Sequence, residues 1–339
     1  MTARKTILVT GGCGFIGSHF IRHWLARHRR DRVVNLDTLT YAGLRANIAD
    51  AAGNRRYAFV KADIADARAV GRALASYRPT HLVNFAAETH VDRSVHGGAA
   101  DFVRTNVQGV QTLLEAVRTS GMHAVFVSTD EVYGSLPLRG GRPFRENTPL
   151  DPRSPYAASK AAGDVLVRAY HETYGIRACV TRCSNNYGPN QYPEKLIPFM
   201  TLRALAGKPL PLYGDGRNVR DWIHVTDHVR AVERVLLRGK AGAVYNIGAD
   251  CERSNIRIAH DILHTLGKPR SLVTFVADRP GHDRRYAMDA AHIGKSLGWK
   301  CREKYGIMLP RTVRWYADNP GWVRKALARV RTVNPHIPL

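Results

Sequence analysis

Short apolar runs at residues 6–10, 33–36, 57–60, 81–85 and 124–128 are separated by amphipathic segments long enough for a helix. That alternation predicts βαβ units and a parallel sheet. After the first run, Gly11-Gly12-Cys13-Gly14-Phe15-Ile16-Gly17 opens a helical pattern carried by Ile16, Phe20, Ile21, Trp24 and Leu25. Proline and glycine become denser between Tyr187 and Gly216, where the chain is expected to leave the sheet and cover a substrate. Residues 221–237 predict a helix, and a terminal helix is expected at 309–318. No internal repeat interrupts this order.

Composition narrows the picture. A chain of 339 residues, 44% of them apolar, can bury one large core and a smaller one. Fifty-one Lys and Arg against 28 Asp and Glu leave a net charge of +23, a surplus that can mark a nucleic-acid partner. Here the basic residues are scattered, with modest clusters at 27–32 and 324–331, and no aromatic-interleaved strip accompanies them. The reading is a solvated Arg-rich surface whose field gathers an anionic substrate, with no nucleic-acid partner. No uncharged apolar stretch approaches the roughly 18 residues of a membrane helix, and nothing at the N-terminus reads as a signal peptide. Five cysteines without a CxxC pair predict reduced thiols, no metal site and a cytoplasmic location.

The glycine motif is the first candidate chemistry. Glycines 11, 14 and 17 allow a tight turn, approach of the backbone to a pyrophosphate, and close helix–strand packing, with the helix N-terminus facing the phosphates. Asp37 ends the second run about twenty residues on, where a carboxylate accepts from a ribose diol and repels a 2′-phosphate, favouring NAD over NADP. Asp63 and Ile64 follow the third run, where they could contact adenine; a helix-capping Asp63 explains the same position equally well.

Two further pairs carry reactivity. Tyr156 and Lys160 stand four residues apart on one helix face, so a neighbouring ammonium and a positive nicotinamide would favour the phenolate. Asp130 and Glu131 end a run expected to be a central strand, and ligands of open parallel sheets bind at the carboxyl ends of strands. Two carboxyls in one crevice push their pKa values apart, one protonated and one ionised, as needed to remove a C–H proton while protonating a leaving hydroxyl.

These motifs, with FAAETHVDRSV at 85–95, NNYGPNQYPEKLIP at 185–198, Arg220 to Trp222, and DRPGHDRRY at 278–286, resemble the dTDP-glucose 4,6-dehydratases of the extended short-chain dehydrogenase/reductase superfamily over nearly the whole chain. The resemblance implies an α/β fold, a Rossmann-like parallel sheet with helices on both faces plus a smaller C-terminal α/β substrate-binding portion. Residues 1–185 would bind NAD, 220–250 would return to that domain, and 186–219 with 251–339 would bind the nucleotide sugar. It implies a homodimer and a tightly held NAD. Tyr156 would take the sugar 4-hydroxyl proton, Glu131 the C5 proton, and Asp130 would protonate the departing C6 hydroxyl. Thr129 would bond the 4-oxygen, and Lys160 would bind the nicotinamide ribose. Cofactor contacts would fall on Gly11, Gly14, Phe15, Ile16, Gly17, Asp37, Thr38, Leu39, Thr40, Asp63, Ile64, Ala86, Thr105, Tyr156, Lys160 and Asn185. Substrate contacts would fall on Glu88, Thr89, Thr129, Asn186, Lys195, Leu196, Pro211, Tyr213, Arg220, Asn255, Arg279, His282 and Tyr286.

Related epimerases and decarboxylases would share the cofactor site and Tyr156/Lys160 but lack the Asp130–Glu131 division. Asn190-Gln191 and Asp250 to Arg253 depart from the family's commonest wording near the nucleotide, which leaves UDP-glucose as the alternative substrate. A non-catalytic nucleotide-sensing or nucleic-acid-binding protein on the same fold is motivated only by the charge.

Overall fold

A computed structural model describes residues 4–278 and 280–330. Twelve strands are present among them: β1 (Thr6–Thr10), β2 (Arg32–Asp37), β3 (Tyr57–Lys61), β4 (His81–Asn84), β5 (His123–Thr129), β6 (Ala178–Cys183), β7 (Asn185–Tyr187), β8 (Leu210–Tyr213), β9 (Val219–His224), β10 (Val244–Ile247), β11 (Glu252–Ser254) and β12 (Val273–Val276). Seven of them form a sheet in the order β10-β6-β5-β4-β1-β2-β3, every pair parallel. This is a Rossmann-like α/β fold.

Helices cover both faces, so successive strand residues are apolar instead of alternating with polar ones. Ile7 and Val9 of β1 enter one core with Trp24 and Val232 from the helices Phe15–Arg27 and Val225–Arg238. Leu8 between them enters the opposite core with Val70, Leu113 and Val167 from Ala67–Tyr77, Val110–Ser120 and Pro155–Tyr174. The period-two geometry of a strand thus feeds both layers.

The chain reverses direction across the sheet between β1 and β4, where Thr10 Oγ1 donates to Asn84 Oδ1 at 2.6 Å. A crevice opens beyond the carboxyl ends at such a point. After β6 the chain leaves the sheet: β7 pairs with β9, which pairs with β11, and β8 pairs with β12. These elements share a separate core with the helices Leu196–Leu205, Asn255–Thr265 and Tyr305–Asp318.

The helix expected over 221–237 is corrected by the structure. Asp221 to His224 lie in β9, and the helix starts at Val225, with the His224 side chain accepting from Thr226 N. Asp221 to His224 are all buried, so polarity carries no mark of the change from strand to helix. The terminal helix begins earlier than expected, at Tyr305, and a further helix, Pro320–Leu327, follows it. Among the described residues no helix is long and apolar enough to cross a membrane, and no cluster of His, Cys, Asp and Glu is arranged to hold a metal ion.

Candidate functional site

Two adjoining clefts lie over the carboxyl ends of the strands. The larger, about 430 Å3, follows the glycine turn between β1 and the helix Phe15–Arg27. Gly11 has φ +68°, and a Cβ there would lie 2.6 Å from Ala86 N. A Cβ on Gly17 would collide with Gly11 O. The helix has no side-chain cap and no acidic residue in its first turn. Its first amides and positive dipole end are therefore available to a phosphate. Gly12, which the sequence argument passed over, is equally constrained, because a Cβ would strike the Asn35 side chain.

Asp37 ends β2 inside this cleft. Its carboxylate accepts from Cys13 N at 2.8 Å and Leu39 N at 2.7 Å, while burial raises its pKa. Thr38, Thr40, Ile64, Ala86, Thr105 and Asn185 line the same cleft. Leu39 is the exception: its side chain packs on the neighbouring core and only its amide serves Asp37. Asp63 accepts from Ala65 N at 2.8 Å and pairs with Arg104 at 2.7 Å. Asp66 caps the next helix, so capping does not account for Asp63. This cradle of glycines, open amides and a buried ribose-height carboxylate fits NAD.

Thr129, Asp130 and Glu131 stand at the end of β5. Thr129 N-caps the short turn Asp130–Tyr133, accepting from Glu131 N at 3.4 Å and donating to Asp130 Oδ1 at 3.2 Å. Asp130 is buried, and its Oδ2 makes no hydrogen bond. Burial pushes its carboxyl well above the usual range, Glu131 and Asp221 push the same way, and Arg220 opposes. All three of the raising influences favour the protonated form of Asp130. Glu131 lines both clefts.

Tyr156 and Lys160 project from the helix Pro155–Tyr174, whose start is set by Pro155 and by Ser154 accepting from Ala157 N. Lys160 Nζ donates to Val127 O at 2.8 Å, which fixes it against β5. Burial raises the Tyr156 phenol, Glu131 adds to that, and a hydrogen bond from Thr129 opposes. Lys160 has its own pKa lowered by burial. Within the protein alone, burial of the phenol outweighs the Thr129 hydrogen bond that favours its ionised form.

A support the sequence did not reveal lies behind these residues. Asn106, in a π-helical turn over Arg104–Gly109, accepts from Glu88 N and donates to Glu88 O, both at 3.0 Å, and donates to Ser159 Oγ at 2.9 Å. A single Asn between helical residues carries no sequence signal for that bridge.

The second cleft, about 220 Å3, joins the first at Thr89, Glu131, Asn185, Glu194 and Lys195. It also collects Leu196, Pro211, Tyr213, Arg220, Asn255, His282 and Tyr286. Tyr213 donates to Asp92 Oδ2 at 2.8 Å and meets the His282 ring edge-on, and Lys195 donates to Thr89 O at 2.9 Å. Arg220 lies over the Tyr286 ring, 4.2 Å from its centroid, and donates to Asp283 O. Glu88, Thr129 and Asn186, also expected at the substrate, line the first cleft. Asn186 is held there by the buried His228, 2.8 Å from its Oδ1, and by donating to Ser184 O. Arg279 lies outside the described residues. Phe199 and Met200 line the second cleft unforeseen, since apolar residues on a helix read as core.

Comparison with known proteins agrees with this geometry. A family described as GDP-mannose 4,6 dehydratase matches residues 8–311. The dTDP-glucose 4,6-dehydratase of Neisseria meningitidis serogroup B is 49% identical over 95% of this chain and 96% of its own. The dTDP-glucose 4,6-dehydratase 1 of Escherichia coli K12 is 48% identical over 94% of each. Among solved structures, DesIV, a dTDP-glucose 4,6-dehydratase from Streptomyces venezuelae with NAD and TYD bound, is 50% identical with a TM-score of 0.90, covering 94% of this chain and 98% of that one.

Proposed function

The chain belongs to the dTDP-glucose 4,6-dehydratase family, and from that premise we infer that it converts dTDP-glucose to dTDP-4-keto-6-deoxy-glucose. The observation that carries the reading is the acid pair at the end of β5, with Asp130 buried and its pKa raised beside Glu131, which lines both clefts. An epimerase or decarboxylase has no use for that division.

When bound, NAD supplies the hydride acceptor for C4, the hydride donor for C6 after water has left, and a positive charge that helps the buried Tyr156 phenol to ionise. Tyr156 takes the 4-hydroxyl proton, and Thr129 bonds the 4-oxygen. Glu131 removes the C5 proton, which the 4-keto group has made acidic. Asp130 delivers its proton to the departing C6 hydroxyl, so water leaves without building up negative charge. Lys160, anchored on Val127 O, holds the nicotinamide ribose near Tyr156.

Gly11, Gly14, Phe15, Ile16 and Gly17 take the pyrophosphate, Asp37 the ribose, and Asp63 with Ile64 the adenine. Arg220 pairs with the substrate diphosphate, and Pro211 and Tyr213 pack on its base. The division at residue 185 remains our reading of the domains, and within 220–250 the helix Val225–Arg238 and β10 support the return to the first domain. Val103 and Val165, 53% and 56% exposed on helices that pack together, are apolar surface that supports a homodimer. Five unpaired cysteines support a cytoplasmic location.

The mechanism is tested with dTDP-glucose deuterated at C4. The label is expected at C6 of the product, and label lost to solvent contradicts it.

A further inference from the structure

Near the end of the described chain, Arg329 makes a contact that the chemistry above does not use. It lies two residues beyond the helix Pro320–Leu327 and reaches back to the loop after β2. Its Nη1 donates to Gly43 O, and its Nη2 donates to Leu39 O and Thr40 O, each at 2.9 Å. The planar guanidinium is well suited to hold several carbonyls in one arrangement.

The loop it grips borders the dinucleotide cleft through Thr38, Thr40, Ala42 and Gly43. The Leu39 amide also orients the Asp37 carboxylate, at 2.7 Å. Leu39 itself has φ +60°, a left-handed conformation that a leucine adopts only under constraint from its surroundings. Arg329 supplies such a constraint. The same C-terminal segment is fastened a second time, where Trp322 Nε1 donates to Asn47 Oδ1 at 2.7 Å and Asn47 Nδ2 donates to Cys13 O at 2.9 Å. On the loop's other side, Tyr41 donates to Glu194 Oε1 at 2.9 Å.

We propose that Arg329 is a latch, a positioning residue that holds residues 39–43 closed along bound NAD and keeps the cofactor on the enzyme between turnovers. This rests on the reading of the larger cleft as the NAD site. The proposed reaction returns its hydride within each cycle, so it gains nothing from cofactor exchange. A latch on the cofactor loop suits that chemistry.

The test compares the full-length protein with Arg329→Ala, Arg329→Lys and the exposed control Arg324→Ala. Bound NAD is quantified after purification, NAD dependence is measured in turnover, and deuterium exchange is followed at residues 38–44. Arg329→Ala is expected to lose most of its NAD and to require roughly ten- to a hundredfold more added NAD, because three hydrogen bonds are removed. Its kcat at saturating NAD should stay within about twofold, and exchange in the loop should rise. Arg329→Lys should recover part of the retention, and Arg324→Ala should match the parent. Unchanged NAD content and unchanged loop exchange in Arg329→Ala would overturn the latch, as would a kcat loss equal to the loss of affinity. A parent protein that binds no NAD would refute the cofactor reading, whereas the exchange result speaks to the latch alone.

Discussion

Arg182 Nε donates to Asp164 Oδ2 at 2.9 Å, with both side chains more than nine-tenths buried and Asp164 one helical turn beyond Lys160. Arg182 also donates to the Tyr133 hydroxyl at 2.8 Å, and that hydroxyl donates to Asn246 Oδ1 at 2.7 Å. This network joins β6, β10, the helix Pro155–Tyr174 and the turn that carries Glu131. Removing one partner leaves a buried charge without compensation. Asp164→Ala is expected to cost about 3–5 kcal/mol in denaturant unfolding. A loss below about 1 kcal/mol would show that water already reaches the pair.

Asp130 opposes stability at neutral pH. Its folded-state pKa is raised above the unfolded value of about 3.9. Below pH ~4 the carboxyl is protonated in both states and costs nothing. As pH rises toward the folded-state pKa, the unfolded chain ionises freely and the folded one does not, so stability falls. Asp130→Asn should therefore stabilise the protein by about 1–3 kcal/mol at pH 7.5, the advantage vanishing near pH 4, while nearly abolishing dehydration. Thermal melts across pH check the sign; an advantage that grew toward acid would reverse the assignment.

For Glu131→Gln, dehydration should fall roughly 10²–10⁴-fold while C4 oxidation continues. Reduced cofactor should then accumulate, visible as a rise in the near-ultraviolet absorbance of the reduced nicotinamide. Normal turnover in this variant would place the C5 base elsewhere.

Tyr156→Phe should block the earlier step. Both turnover and the reduced-cofactor signal should drop by roughly 10²–10⁴. A strong signal in this variant would mean that another group takes the 4-hydroxyl proton.

Much of this site was legible because its chemistry depends on local patterns. The glycine turn, Asp37, the Asp130–Glu131 pair and Tyr156/Lys160 each sit at a strand end or on one helix face, where spacing along the chain equals placement in space. Legibility failed where that equality ends. Fully buried Asp221 to His224 show no polar face to distinguish strand from helix. Asn186 is oriented by His228, 42 residues away, and Arg329 reaches its loop across 290. Such tertiary partners leave no trace in periodicity.

The most direct test is to incubate the purified protein with dTDP-glucose and, separately, UDP-glucose, with no cofactor added, and to follow product mass. The account predicts loss of one water from dTDP-glucose, much faster than from UDP-glucose, on the NAD the protein already carries. No loss of water from dTDP-glucose even after NAD is supplied would contradict it.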